Sequence, residues 1–537
     1  MNSCLESALP RLPQTQDSDS WATAELEAAP LLDARRNKSM AKICQRLLQQ
    51  PGLSFSRVAG SLRKAADRSM HDPDVNPQAL LAGHVQQSAH RAQEHRLVLA
   101  ASDTTSFHFG SADSPSNSRS GLGPVGTSSK EQGLLTHSVL AMTPEGVALG
   151  VVHQQSWARK AQNFGQSDQR KKRSFESKES FKWVEALEAT QAALPHVDCV
   201  LMVQDREADL FELFAYPRQA NCHLLVRAAQ PRKVQVLPLP SDVGPLPSDV
   251  GPLPSDVGVM SLFEAAQQAP TVGCKTFRVK TKSGAKDKQN IANAINYEPS
   301  IDIAPWREAT LSIQMCCIQM CCIQMRAPRH MPKSVPPVGP LWLIRVCEQD
   351  APAGQEPIEW VLLCTLPLEN AQQALEMVEH YCKRWIIERM HYVLKSGLGV
   401  EKLQMREGFV LQQMILLYSI VAWRLLSLLY QARQEPLSPV SDWLEAHEVE
   451  VLSAQAQTPV QTLGKAMSLI ALIGGFKSCP SAPLPGLKSL WIGLRRLEGM
   501  AIGWQLARSQ LLSDPDYQAF LTATGKSNHQ PKDMGQD

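Results

Sequence analysis

Three acidic side chains stand where oxygen ligands for a hard divalent cation could converge. Asp103 follows the apolar run Arg96-Leu-Val-Leu-Ala-Ala-Ser102, and Asp205 comes two residues after Cys199-Val-Leu-Met-Val203. Ligands of parallel α/β sheets bind outside the carboxyl ends of the strands. An aspartate beside a buried strand loses solvation unless a cation or donors stand nearby. The third acid, Glu388, lies in a stretch of helical period with Tyr381, Arg384 and Lys395. With Tyr381 at zero and about 100° per residue, Arg384, Glu388 and Lys395 fall near about 300°, 340° and 320°, one narrow stripe. Ile386, Ile387, Met390, Val393 and Leu394 take the opposite side. Three carboxylates suit Mg²⁺, which prefers oxygen ligands. Two such ions, roughly 4 Å apart, activate a water or 3′-hydroxyl and stabilise the leaving oxygen of a phosphoryl transfer. The plainer alternatives are an Arg384–Glu388 surface pair, worth about 0.3 kcal/mol, and an Asp205 that only caps the next helix.

That chemistry needs two strands ending at the aspartates and a helix laid over them. Strand-like runs at 96–109, 135–142, 147–154, 199–203 and 341–366 alternate with helical periods at 180–193, 207–214 and 371–397, which predicts an α/β core. Upstream, a loose polar leader to about residue 27 precedes a helical stretch at 31–95, broken at Pro51-Gly52 and His71-Asp-Pro-Asp74. After residue 366 the chain reads as helical almost to its end, with a Pro/Ser/Gly break at 478–486.

Composition narrows the classes. At 537 residues the chain exceeds one core, so appended modules are expected. A net charge of +2 gives no global argument for a nucleic-acid partner. Residues 31–70, however, hold nine Lys/Arg against Asp33 and Asp67, and Arg170-Lys-Lys-Arg173 adds a second basic cluster. The cysteines form no CxxC pair, so neither a disulfide framework nor a zinc site is legible, which fits a reducing compartment. The N-terminus lacks an apolar signal core. The most apolar run, 409–423, falls short of the roughly 20 residues that span a bilayer and reads as a buried helix. Two tracts repeat without degeneration: Pro238-Leu-Pro-Ser-Asp-Val-Gly244 in three copies, and Ile313-Gln-Met-Cys-Cys317 in two and a half. Both read as recent duplications in surface loops, which tolerate insertion.

Asp103-Thr-Thr-Ser106, then Val203-Gln-Asp-Arg-Glu-Ala-Asp209, then Tyr381-x2-Arg384-x3-Glu388-x6-Lys395 resembles the DDE transposases of bacterial insertion sequences. Within them it is similar to the IS-four family of the Tn-five type, with its Y-R-E-K motif. Further matches are His137-Ser-Val-Leu140, His153-Gln-Gln-x-Trp157, Glu179-Ser-x-Lys-Trp183 and Trp360-Val-Leu-Leu363. The resemblance covers about residues 25–510. It implies a ribonuclease-H-like core in two parts, 96–230 and 356–435, separated by a mostly β insertion at 231–355. A helical DNA-end-binding domain at 28–95 follows the leader at 1–27, and a helical dimerisation region spans 436–537. Asp103, Asp205 and Glu388 would hold two Mg²⁺ ions, with Mn²⁺ as a substitute. Tyr381, Arg384 and Lys395 would grip phosphates, and Trp360 would receive a flipped base, its alternative being a tryptophan packed in a strand core.

The implied partners are double-stranded DNA, as terminal inverted repeats and target, and a second copy of the chain, in the cytoplasm at the nucleoid and without a membrane. The implied activity is cut-and-paste transposition. A nuclease that does not rejoin ends and an inactive, transposase-derived DNA-binding protein are the alternatives. The chain departs from the family at Asp67-Arg-Ser-Met70, where Tyr-Arg-Phe is common.

Overall fold

The computed structural model describes residues 20–72, 74–76, 78–111, 119–126, 129–160, 173–238, 258–282, 309–348, 357–477 and 485–514. Its centre is a twelve-stranded mixed sheet. The strands that matter most are β1 (Leu97–Ser111), β2 (Gly123–Pro124), β3 (Glu131–Met142), β4 (Ala148–Trp157), β5 (Cys199–Gln204) and β6 (Cys222–Arg227). β1, β5 and β6 run parallel, in register from Leu97↔Cys199 to Ser102↔Gln204 and from Val200↔Cys222 to Gln204↔Val226. β3 is antiparallel to β1, and β4 to β3, so the local order is β4-β3-β1-β5-β6.

Because side chains alternate along a strand, the sheet buries both faces. Leu99, Ala101, Leu201 and Val203 point into one core, and Val98, Ala100, Val200 and Met202 into the other. This two-sided burial is why the strands read as continuous apolar runs. Helix α6 (Lys182–Ala193; the earlier helices are given below) covers the second face through Trp183, Val184 and Leu187.

Beyond β6 the same sheet continues through β7 (Lys233–Leu237), β8 (Met260–Ser261), β9 (Thr271–Lys282), β10 (Ala309–Met325), β11 (Val338–Glu348) and β12 (Glu359–Cys364). β12 returns antiparallel to β6, followed outward by β11 and β10; β9 and β7 share the outer edge of β10. The Ile-Gln-Met-Cys-Cys repeat therefore does not lie in a surface loop. It forms β10, with Cys316, Ile318, Met320 and Cys322 in one core and Cys321, Ile323 and Met325 in the other. An odd repeat moves each residue type to the opposite face in the next copy. Here both faces are apolar and accept it. Of the other tract, residues 239–257 lie outside the described residues, as do 170–172 of the second basic cluster.

The expected leader runs too far. Ser20–Glu27 is helix α1, with Trp21, Ala22 and Leu26 buried. It is followed by α2 (Ala34–Gln49), α3 (Phe55–Ala59), α4 (Arg63–Met70) and α5 (Ala79–Ala92). Glu25 of α1 joins α5 in a buried network. It receives His84 Nδ1 at 2.5 Å and Arg91 Nη1 at 2.6 Å. The backbone N–H of Val151 donates to His84 Nε2 at 2.9 Å, and Arg91 Nε donates to the Leu149 carbonyl at 2.6 Å. These two contacts tie the N-terminal helices to β4. Gly150 lets them close: its φ is +156°, and a Cβ there would lie 1.7 Å from Ser88 Oγ.

The helices over the first sheet face follow β12: α9 (Ala371–Cys382), α10 (Trp385–Tyr392) and the long α11 (Gly408–Gln434); α7 (Phe211–Ala215) and α8 (Leu262–Gln268) lie earlier. Residues 371–397 are thus not one helix. Bonds from Lys383 N to His380 O and from Arg384 N to Tyr381 O tighten the turn before α10, and Val393–Gly397 widens into a π turn. α11 is apolar over a span long enough to cross a membrane, but most of it is buried within the protein. Its Trp423 Nε1 and Ser427 Oγ both donate to the Ala148 carbonyl of β4, and Arg424 sits over the Trp443 ring at 4.4 Å. The last helices among the described residues are α12 (Ala446–Ala456), α13 (Leu463–Ile473) and α14 (Leu487–Ser513).

Candidate functional site

Parallel register places the two aspartates side by side. The last β1–β5 pair is Ser102↔Gln204, so Asp103 and Asp205 occupy the next position on each strand. By alternation they share the face of Leu99, Ala101, Leu201 and Val203. β5 stops there because Asp205 turns the chain. Its side chain accepts from the Glu207 N–H at 2.9 Å and caps a short 3-10 turn at Arg206–Ala208. The capping role and the edge position belong to the same residue.

The pair is unequal in protonation. Burial, then the charge of Asp103, pushes the Asp205 carboxyl up to about 6, against the pull of Arg384 and of the Glu207 N–H. Burial also opposes ionisation of Asp103, but the His391 ring, the Arg384 guanidinium and the Thr104 N–H hold its carboxyl below the ordinary value. Two nearby like charges with too little compensation behave this way. The pair offers only oxygen donors.

α10 supplies the counter-groups. Arg384 Nη2 lies 2.7 Å from Glu388 Oε1, while burial of its guanidinium is outweighed by the charges of Tyr381, Glu388, Asp103 and Asp205, which hold it protonated. Arg384 therefore interacts with all three acids. Glu388 is half exposed, at 48% of its side-chain surface. Among the described residues, no three His, Cys, Asp or Glu side chains converge closely enough to hold a metal ion. Asp103 and Asp205 thus come together, and Glu388 stands on the neighbouring helix, engaged by arginine. The donor chemistry fits a divalent cation at the two aspartates; the third corner is taken by the ion pair.

Tyr381 and Trp360 pack against each other with ring centroids 5.7 Å apart, and Arg227 lies 5.9 Å over the Trp360 ring. Burial raises the Tyr381 phenol pKa, and the Arg384 and Arg227 charges oppose it. Trp360 is in the strand core, 6% exposed. Lys395, in the π turn, lies 5.7 Å over the Phe107 ring; burial lowers its pKa, against the charges of Glu401 and Asp103.

Two residues at the site were not singled out from sequence. His391 is buried, with Nδ1 3.6 Å from Asp103 Oδ2, an ion-pair distance rather than a hydrogen bond. It follows Glu388 by three residues, one helical turn, and that spacing was the available signal. Arg227 ends β6, the next parallel strand after β5, so it lies at the same carboxyl edge. The remaining motif residues brace the sheet. Gln154 donates to Ser138 and Ser419, Gln155 to Glu185, and Arg159 pairs with Glu179. His137 shares a 2.9 Å bond with Thr104 and packs edge-on against Trp183.

Residues 161–424 match the model of a family described as the transposase DDE domain. The matched segment contains Asp205, Arg227, Trp360, Tyr381, Arg384, Glu388 and Lys395 and begins downstream of Asp103. The match supports a DDE transposase, a DNA-cleaving phosphoryl-transfer enzyme of transposition and recombination.

Proposed function

We propose that this chain is a cut-and-paste transposase of an insertion sequence, of the Y-R-E-K type, with Asp103, Asp205 and Glu388 as its catalytic acids. The observation that carries the reading is the pairing of Asp103 and Asp205 at the carboxyl edge of two parallel strands, beneath the helix that bears Glu388. The order β4-β3-β1-β5-β6 supports the ribonuclease-H-like core that the sequence implies.

Two divalent ions held by the three carboxylates, Mg²⁺ or Mn²⁺, would supply an activated hydroxyl and stabilise the leaving oxygen. The residues of the chain do the rest. Asp103, held ionised, is the standing anion of the site. Asp205, whose carboxyl is pushed up to about 6 by burial and the charge of Asp103, would be held ionised more firmly beside a bound cation. DNA binding replaces the Arg384–Glu388 pair: the Arg384 fork turns to a phosphate, and Glu388 is released to the oxygen set. Lys395 and the Tyr381 hydroxyl add phosphate donors, and Arg227 extends this basic edge. Trp360 would receive an extruded base only if Tyr381 or Arg227 moves aside.

The N-terminal helices would bind the terminal inverted repeats. The last helix would pair two copies, a role supported by the exposed Met500, Ile502, Trp504, Leu506 and Leu511 of α14. The test incubates the protein and Glu388→Ala with Mg²⁺ and DNA bearing the gene's own flanking ends. Excision by the parent alone supports the reading. End binding without cleavage by either protein points to an inactive DNA-binding derivative, and neither binding nor cleavage overturns it.

A further inference from the structure

The duplicated tract lies in a strand, and there one of its cysteines contacts another thiol. Cys317, the last residue of its first copy, lies in β10 directly opposite Cys274 of β9 and opposite Cys347 of β11. Three thiols therefore stand in one row across three strands. They differ in setting: Cys274 is exposed, Cys317 is buried and Cys347 is intermediate. The Cys274 and Cys317 sulfurs are 3.0 Å apart. Cys347 turns its sulfur to the Cys317 carbonyl, at 3.7 Å, rather than to the sulfur.

We propose that Cys274 and Cys317 form an oxidisable dithiol, a modification site that closes to a cross-strand disulfide when the protein meets a hydroperoxide. Directly opposed residues of antiparallel strands have Cα atoms roughly 4.5–5.5 Å apart, inside the range of roughly 4.4–6.8 Å that a disulfide spans, so the pair lies within bridging reach. The exposed partner reacts first, because attack requires an accessible thiolate. The Cys274 thiolate takes the terminal OH of the hydroperoxide, becoming a sulfenic acid as the O–O bond breaks; the second oxygen leaves as hydroxide or alkoxide and takes a proton from solvent, giving water or an alcohol. The Cys317 sulfur then attacks the Cys274 sulfur; the S–O bond breaks, and the departing hydroxide takes the Cys317 proton as a second water. Two thiols are oxidised by two electrons, and one peroxide is reduced. Burial raises the Cys317 thiol pKa to about 12, which keeps it from competing for peroxide. Its contact with Cys274 makes it the resolving partner.

The sequence explains how the pair arose. Successive copies lie at different places along β10, so each presents its second cysteine to different neighbours. Cys317 meets Cys274, whereas Cys322, its counterpart, meets Leu237 of β7 and Trp342 of β11. Identical copies alone suggest duplication in a loop, where the thiols would have no partner. In the strand, one of them acquires a partner.

The experiment treats the intact protein with a small excess of hydrogen peroxide, alkylates it in denaturant and maps it by mass spectrometry without reductant. The expected product is a Cys274–Cys317 cross-linked peptide, reversed by dithiothreitol, with the thiol count falling by two from the 13 of the reduced chain. Cys274→Ser and Cys317→Ser each remove the cross-link; the exposed Cys274 site keeps the first variant informative about folding. Oxidation of Cys274 to sulfinic acid while Cys317 remains alkylatable would overturn the proposal. So would a cross-link from Cys317 to Cys347.

Discussion

Replacing Asp205 by asparagine is expected to strengthen the fold while abolishing its chemistry. Burial and the charge of Asp103 push the Asp205 carboxyl up to about 6 in the folded protein, against roughly 3.9 for a free aspartate. The folded state therefore binds the proton more readily than the unfolded chain. Stability is lost as pH rises from about 4 to about 6 and stays lost above. At 1.36 kcal/mol per unit, that displacement amounts to about 3 kcal/mol at pH 8. Asparagine removes the charge, and its Oδ1 can still accept from the Glu207 N–H. In metal-free buffer with a chelator, urea denaturation at pH 8 should show Asp205→Asn more stable by about 2–3 kcal/mol. The gap should narrow to about 0.5 kcal/mol near pH 4 and close near pH 3, where the parent carboxyl is protonated in both states. Saturating Mg²⁺ should raise the parent and leave the variant unchanged, by about 1.4 kcal/mol at ten times the dissociation constant. A variant no more stable than the parent at pH 8, or a full advantage that persists at pH 3, would refute the reasoning.

Other outcomes follow from the same geometry. Glu25→Ala leaves Arg91 buried without its partner and should cost about 3–5 kcal/mol in urea unfolding. Gly150→Ala should destabilise by at least about 1–3 kcal/mol, because its Cβ meets Ser88 Oγ at a positive φ, and adding Ser88→Ala should restore part of the loss. His391→Ala should weaken Mn²⁺ binding roughly tenfold by electron paramagnetic resonance, and glutamine should recover part of it, because the ring positions Asp103. Unchanged binding in the alanine variant would mean that His391 only fills space.

What could be read from the residues was whatever a single period or string carried. The runs ending at Asp103 and Asp205 became β1 and β5 because both sheet faces are buried and the apolar pattern is unbroken. The Tyr381-to-Lys395 stripe was visible, but not the tightening at Lys383–Arg384 or the π turn at Val393, since periodicity assumes one uniform helix. The leader looked loose because it is polar and contains prolines. Glu25 is instead buried by His84 and Arg91, about sixty residues away, and no local pattern contains that partnership. The cysteine repeat was read as a loop insertion because identical copies suggest recent duplication. Its odd period fits a strand only where both faces are apolar, which is a property of the sheet rather than of the tract. His391 and Arg227 were missed for a related reason: each acts through a neighbour on another element.

The most direct test of the central claim is where a bound metal sits. The protein is loaded with Fe²⁺ in place of Mg²⁺, exposed to ascorbate and peroxide, and its oxidative backbone cuts are mapped. The account predicts cuts clustered near residues 103, 205 and 388, suppressed by excess Mg²⁺ and lost in Asp103→Asn. Cuts elsewhere, or cuts at 103 and 205 with none near 388 even when DNA ends are bound, would contradict a site built from all three acids.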